Sequence, residues 1–111
     1  MKSYKKGETI VSEGEKGREI LTLVSGKVGV FKNGRKLSEF SEKGTILGEL
    51  SVILNRPRTA SLVAIEDSSV MTLATSIDEL FVKYPDLIKK MLFDMAERLA
   101  ESTETHYLTR R

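Results

Sequence analysis

The chain has 111 residues with 18 Lys and Arg, 16 Asp and Glu, one His and no Cys, and this length predicts one domain. Its 40% hydrophobic and 31% charged residues argue against a disordered chain, and no apolar run reaches the roughly 18 residues of a membrane span. With no Cys and His106 as the single His, a Cys/His zinc site, a thiolate-held iron–sulfur cluster, a Cys nucleophile and a disulfide framework are excluded, whereas an all-carboxylate cation site is not.

The charges are spread along the chain. Basic residues outnumber acidic ones by 9 to 4 over positions 1–36, acidic ones lead by 7 to 3 over 37–79, and the remainder carries 6 basic and 5 acidic residues. No segment is a nucleic-acid-binding tract, and the N-terminal lysines are not followed by the apolar region of a secretory signal. We therefore predict a cytoplasmic protein that binds neither nucleic acid nor membrane.

Strands are predicted where β-branched runs are bounded by glycines, at the spacing of roughly 8–12 residues typical of an all-β sandwich or barrel. The predicted strands lie near residues 9–11, 20–24, 27–32, 35–40, 60–65 and 70–74. Asn33-Gly34 separates two of them. Because a type I′ turn needs positive φ at both central positions, which Asn and Gly adopt readily, this pair predicts a β-hairpin.

Two helices are predicted after the last strand. Ser76-Ile77-Asp78-Glu79 has the form of a capping box, which predicts a short helix ending near Tyr84. Pro85 suits the first position of a second helix, where its missing N–H is not needed, and Asp86 lies beside the positive end of the helix dipole.

The second predicted helix carries a stripe at helical spacing. Its apolar members are Ile88, Met91, Leu92, Met95 and Leu99, and Ser102 and Thr103 continue the same stripe. Phe93 and Ala100 lie on a different face. The helix therefore either packs against both its own strands and a second copy of itself, or is a single amphipathic helix on the barrel with Phe93 half exposed.

The segment 44–60 joins the two strand-rich parts and carries the candidate chemistry. Gly48 permits a close backbone approach, and residues 49–54 can form one or two helical turns whose first N–H groups attract an anion. Arg58 offers a bidentate donor suited to a phosphate diester, with the Thr59 hydroxyl beside it. A surface turn with solvated charges explains the same spacing, and spacing alone does not separate the two interpretations.

The cassette residues resemble a known family. Gly48-Glu49-Leu50-Ser51 followed by Pro57-Arg58-Thr59-Ala60 is similar to the phosphate-binding cassette of cyclic nucleotide-binding domains, found in catabolite-activator-like regulators, cyclic nucleotide-dependent kinases and gated channels. Further similarity lies at residues 7–14, 23–28, 63–67 and 84–87. The resemblance implies a mainly β domain over the whole chain, 1–111. Its parts are an eight-stranded jelly-roll or double-stranded β-helix barrel (1–75) with a short cassette helix (within 44–60), two C-terminal α-helices (76–105) and a tail (106–111).

The resemblance also implies a role for each cassette residue. Glu49 accepts the hydrogen bond of the ribose 2′-hydroxyl, and Arg58 pairs with the equatorial phosphate oxygen. Backbone N–H groups of Leu50 and Ser51 assist, so that Ser51 contributes chiefly its backbone. The predicted ligand-binding residues of the cassette are Gly48, Glu49, Leu50, Ser51, Arg58, Thr59 and Ala60.

The identity of the base depends on the C-terminal helix. Thr59 occurs in domains that prefer either nucleotide and does not decide between them. Ser102 and Thr103 resemble the hydroxyl pair that contacts the adenine amino group in catabolite-activator-like regulators, one hydroxyl coming from the neighbouring subunit. This resemblance implies a preference for cAMP over cGMP and a homodimer through the C-terminal helix, whereas in the alternative the two residues mark a fraying helix end.

Together these features predict a non-catalytic sensor without metal or other cofactor, which moves its C-terminal helix on binding and signals through an unknown effector protein. The chain stops at Thr109-Arg110-Arg111, where the regulators continue into a helix-turn-helix, so no DNA-reading element is expected. His106 lies in the tail, which argues against haem or iron–sulfur sensing. The alternatives are a binding-incompetent barrel for dimerisation and protein interaction, and a cupin-type metal enzyme, which usually needs several His.

Overall fold

The β-branched runs form strands in the computed structural model, which describes residues 1–109 and, from position 104 on, the backbone alone. The elements in chain order are β1 (Lys2–Tyr4), β2 (Thr9–Val11), β3 (Glu19–Ser25), β4 (Val28–Lys32), β5 (Arg35–Phe40), β6 (Ile46–Leu47), α1 (Glu49–Ile53), β7 (Ser61–Ala64), β8 (Ser68–Ala74), α2 (Ile77–Lys83) and α3 (Pro85–Thr109). Eight strands and two C-terminal helices confirm the predicted mainly β fold.

The strands form two antiparallel sheets of four, in the orders β1-β8-β3-β6 and β2-β7-β4-β5. No ladder joins the two sheets in the described part of the chain, so the prediction of a closed barrel is wrong in this detail. The sequence prediction also misses β1 and β6, because strands of three and two residues show no periodicity. Pairing holds them in place: Lys2 pairs with Val70, and Leu21 pairs with Leu47.

Side chains from both sheets build one apolar core. Its buried members are Leu21, Leu23, Val28, Leu47, Leu62 and Val70, with Tyr4, Ile10, Val11, Val30 and Phe40 packed against them. The alternation along β7 shows the cause, since Leu62 and Ala64 are buried and the residues between and before them are less so. Because Leu47 of β6 is buried in this core, the backbone is anchored immediately before the cassette helix.

The β4–β5 hairpin turns at Asn33-Gly34, as the sequence predicts. Asn33 has φ 53° and Gly34 has φ 77°, the positive values that such a two-residue turn needs. Beyond the turn, β5 is exposed along almost its whole length, so the hairpin lies at an edge of its sheet.

The chain divides into two compact units, Met1–Ile77 and the helical segment from Asp78 on, called here the β unit and the helical unit. In the helical unit, Leu80, Ile88 and Met91 are buried, whereas Leu92 and Leu99 of the same predicted stripe are exposed. Helix α3 reaches Thr109, past the predicted helix end at 105, and the side chain of His106 lies outside the described residues. None of the helices in the described part is both long and apolar enough to cross a membrane.

Candidate functional site

The start of the cassette is fixed by β6 and Gly48. Leu47 ends β6 opposite Leu21 of β3, and Gly48 then adopts the left-handed conformation with φ 75° and ψ 11° at the N-cap of α1. Glycine has no Cβ to oppose this conformation. A Cβ here would also overlap the Arg58 Nη1 atom and lie 2.9 Å from Leu21 Cδ1, so the close approach predicted for Gly48 is an approach to Arg58.

The end of the cassette is fixed by a turn between β2 and β3. Arg58 N donates to Glu15 O at 2.7 Å, and Gly14 N donates to Arg58 O at 2.8 Å. Lys16 and Pro57 form a β-bridge beside this pair. Both backbone polar groups of Arg58 are therefore bonded to residues more than 40 positions earlier in the chain.

The Arg58 side chain is buried in a cradle of uncharged acceptors, with 7% of the residue exposed. Its Nη1 donates to Gly48 O and to Ser51 Oγ, each at 2.9 Å, and its Nη2 donates to Glu19 O at 2.9 Å. Ser51 Oγ in turn donates to Gly48 O at 3.1 Å. These bonds use three of the five guanidinium N–H groups and leave the Nε–H and one Nη2–H unused by the described residues.

The electrostatics of the cradle favour an anion. Burial lowers the pKa of Arg58 below its ordinary value, while the carboxylates of Glu19, Glu15 and Glu49 oppose that shift, and an arginine so placed keeps its charge near neutral pH. Among the described residues, Arg58 takes part in no ion pair. A buried guanidinium held by carbonyl and hydroxyl oxygens therefore has positive charge left for a ligand.

Gly17 belongs to the cradle, although nothing in the sequence pattern indicated it. A Cβ at Gly17 would overlap Nε and Cζ of Arg58 and lie 2.6 Å from Ser51 Oγ. The Glu19 carbonyl and the Ser51 hydroxyl are further contributors that the sequence analysis missed, since it assigned Ser51 a backbone role. No local signal could identify Gly17 or Glu19, because both meet Arg58 only through the folding of distant strands.

The structure places the predicted site residues in two groups. Gly48, Glu49, Ser51 and Arg58 lie together in the β unit, with Glu49 6% exposed. Leu50 and Thr59 are exposed, Ala60 is half-buried, and the Thr59 carbonyl accepts a hydrogen bond from Lys32 Nζ at 2.9 Å.

The other two predicted residues, Ser102 and Thr103, belong to the helical unit. Both are exposed on α3, and the Thr103 hydroxyl donates to Leu99 O at 2.9 Å. Their contact with a base stays a prediction.

A cavity of about 300 Å³ opens beside the cassette in the β unit. Its lining residues are Lys16, Gly17, Arg18, Asn55, Arg56 and Pro57. Neither Glu49 nor Arg58 lines it. For metals, the described residues contain no group of three or more His, Cys, Asp or Glu side chains that could hold an ion.

Comparisons with known proteins find similar sequences and similar structures. The sequence model of the family described as "Cyclic nucleotide-binding domain" matches residues 1–81. The cAMP-dependent protein kinase regulatory subunit of Aspergillus niger is 41% identical over 71 residues, 63% of this chain and 17% of that protein. Human cGMP-dependent protein kinase 2 is 29% identical over 121 residues, 96% of this chain and 16% of that protein.

The crystal structure of the Thermus thermophilus catabolite activator protein superposes with a TM-score of 0.79 at 28% identity, covering 96% of this chain and 53% of that one. The chain spans about a sixth of the length of the two kinase relatives and about half of the length of the activator protein.

Proposed function

The chain belongs to the cyclic nucleotide-binding domain family, and we propose that it is a non-catalytic sensor that binds cAMP in preference to cGMP. The β unit would hold the ribose and phosphate. The helical unit would respond to the bound ligand and pass the signal to an effector protein. A cytoplasmic location stays a prediction from the sequence.

The cradle of Arg58 is the observation that carries this proposal. Three of its N–H groups hold the guanidinium against Gly48, Ser51 and Glu19, which leaves the Nε–H and one Nη2–H for a ligand. A cyclic nucleotide presents a singly charged phosphate diester, which one guanidinium can neutralise with two parallel hydrogen bonds. Because the other hydrogen bonds already orient the guanidinium, less binding free energy is lost in immobilising the Arg58 side chain when the ligand binds.

The position of Glu49 supports a role in recognition of the sugar. It is buried at the start of α1, and its negative charge acts on the pKa of Arg58, so the two side chains are electrostatically coupled. An ionised carboxylate accepts hydrogen bonds and donates none, which suits the ribose 2′-hydroxyl. The site should therefore reject a 2′-deoxy ligand.

The preference for cAMP depends on α3. Ser102 and Thr103 would contact the adenine amino group, with one hydroxyl supplied by a second copy of the chain in a homodimer. The names of the relatives do not decide the base, since they include both cAMP-dependent and cGMP-dependent kinases. The exposed apolar side chains of Leu92 and Phe93 favour a helix that packs against another chain.

The same exposed face favours one competing function. A domain that no longer binds nucleotide could serve as a dimerisation and protein-interaction module through α3. The complete cradle around Arg58 speaks against this, because an unused buried cation destabilises a fold. A thermal shift on addition of cAMP separates the two functions directly.

Calorimetric titration with cAMP, cGMP and 2′-deoxy-cAMP tests the proposed function. Wild type should bind cAMP most tightly, and the deoxy ligand should lose about 1.5–3 kcal/mol, the contribution of a hydrogen bond to a charged group. Arg58→Ala should lose roughly 2–5 kcal/mol of cAMP binding, whereas Arg35→Ala, which removes an equal charge from the exposed start of β5, should lose none. Absence of heat with every ligand, or unchanged binding by Arg58→Ala, would overturn the proposal.

A further inference from the structure

Apart from Gly17, which packs against Arg58, the residues that line the cavity between the turn at 16–18 and the loop at 55–57 have no role in the proposed function. Lys16, Arg18 and Arg56 are exposed around it, Asn55 adds an amide, and the lining contains no carboxylate. These three cationic side chains form no hydrogen bond or ion pair with the described residues. Like charges gathered at one cavity repel one another, so the arrangement favours an anion between them.

Backbone hydrogen bonds hold both walls of this cavity in place. The Arg18 carbonyl accepts from Thr75 N at 3.0 Å, and Arg56 N donates to Ser51 O at 3.2 Å. The bridge between Lys16 and Pro57 sets the distance between the walls. The donors therefore project from two anchored segments and not from free loops.

We propose that this cavity is a second anion site, which takes a multiply charged phosphate, either a monoester or a diphosphate. Two guanidinium groups and one ammonium group match the several oxygens and the two or more negative charges of such a group. A cyclic nucleotide carries a single charge on a diester and is a poorer match for three cations. A volume of about 300 Å³ admits a phosphate with part of the molecule that bears it.

Titration of the ¹⁵N-labelled full chain with inorganic pyrophosphate at low ionic strength tests this site. Saturable shifts are expected at the backbone amides of residues 16–18 and of Asn55 and Arg56. Dimethyl phosphate, a singly charged diester, should bind at least about tenfold more weakly, since it lacks one or more charge-assisted bonds.

Three variants sharpen the test. Arg18→Ala and Arg56→Ala should each weaken pyrophosphate binding about tenfold, and both should fold because neither side chain is bonded within the described residues. Arg35→Ala removes the same charge from the exposed start of β5 and should leave the affinity unchanged. Melting temperatures of all three variants verify that the fold is intact.

Four results would overturn the proposal. Shifts that do not saturate, or equal weakening by Arg35→Ala and Arg56→Ala, would mean diffuse attraction to a basic surface. Shifts centred on residues 48–51 would mean that pyrophosphate binds at the Arg58 cradle. Equal binding of dimethyl phosphate would exclude a site selective for multiply charged phosphate. None of these results bears on whether the cradle binds cyclic nucleotides.

Discussion

In the β unit the charged residues Glu49 and Arg58 are buried, while on α3 of the helical unit the apolar side chains of Leu92, Phe93 and Leu99 are 63–70% exposed. Each arrangement opposes the ordinary preference of its side chains for water or for the protein interior. In the β unit the burial of Arg58 has a structural cause, because its side chain has three acceptors and a space shaped by two glycines. On α3, the described residues leave most of the surface of these apolar side chains uncovered.

The two regions depend in different ways on what binds to them. The cradle is complete in the isolated chain, so ligand binding there needs little rearrangement. The exposed face of α3 is buried only when another surface packs against it. Its contribution to stability therefore depends on the concentration and on the partner. Substitutions in the cradle should therefore change affinity, and substitutions on α3 should change assembly.

Among variants that leave Arg58 itself in place, the largest effect is expected from Gly17→Ala. The new methyl group would occupy the space of Arg58 Nε and Cζ, and because these atoms end a flexible side chain, the guanidinium should move while the fold survives. We expect calorimetry to show a loss of about 2 kcal/mol in the free energy of cAMP binding, which raises the dissociation constant roughly thirtyfold.

Gly44→Ala is the matched control for this glycine. Gly44 has φ 92°, and an added Cβ there would meet no atom within 4 Å, so its substitution strains the backbone without displacing Arg58. Gly44→Ala should thus lower the melting temperature and leave the cAMP affinity unchanged, the reverse of Gly17→Ala. An equal loss of affinity in both variants would show that Gly17 acts through general stability and not through Arg58.

A smaller effect is expected from Ser51→Ala. Removal of the hydroxyl takes one acceptor from Arg58 Nη1, and we expect a loss of about 1.5 kcal/mol, the lower end of the range for a hydrogen bond to a charged group. Calorimetry should show about tenfold weaker cAMP binding. Ser51→Thr keeps the hydroxyl and should retain most of the affinity.

Ser38→Ala serves as the control for Ser51, since Ser38 is exposed on β5, an edge strand. Its affinity should equal that of wild type. If Ser51→Ala also binds like wild type, the hydroxyl does not position Arg58, and Ser51 has only the backbone role that the sequence resemblance implies.

On α3, we expect the double substitution Leu92→Ser and Leu99→Ser to change the unfolding free energy of the monomer by no more than about 0.5 kcal/mol relative to wild type, because both side chains are exposed. In sedimentation equilibrium the same variant should dissociate at concentrations where wild type is dimeric. Phe81→Ser, which removes an exposed apolar side chain from α2, should not change the assembly. A wild-type chain that stays monomeric at every concentration would remove the proposed dimer.

The sequence predicted local features well and long-range contacts poorly. The hairpin at Asn33-Gly34 and the helix start at Pro85 follow from backbone preferences of the residues themselves, and both are confirmed. The cassette with Glu49 and Arg58 was found through its resemblance to a family. The cradle partners Gly17 and Glu19 were missed, because they meet Arg58 through the pairing of the turn at 14–16 with the cassette, which no spacing reveals.

The predicted stripe on the second helix shows a related limit. Helical spacing places Ile88, Met91, Leu92 and Leu99 near one another, yet two of them are buried and two are exposed. Periodicity indicates which residues share a face, but the area that a neighbouring element covers depends on the packing of whole elements. The same reason explains why β6, with two residues, was recognised only from its pairing with β3.

The smallest effect concerns pH. The pKa of Arg58 is lowered by burial, so at strongly alkaline pH the folded chain binds fewer protons than the unfolded chain, and the contribution of this group to stability rises with pH there. Between about pH 6 and pH 9 both states stay protonated, so cAMP affinity measured by calorimetry should be constant. Arg58→Lys places a group of ordinary pKa about 10.4 in the same buried cradle, and its weaker binding should decline further towards pH 9. A decline of this kind in wild type would mean that a group other than Arg58 carries the charge that holds the phosphate.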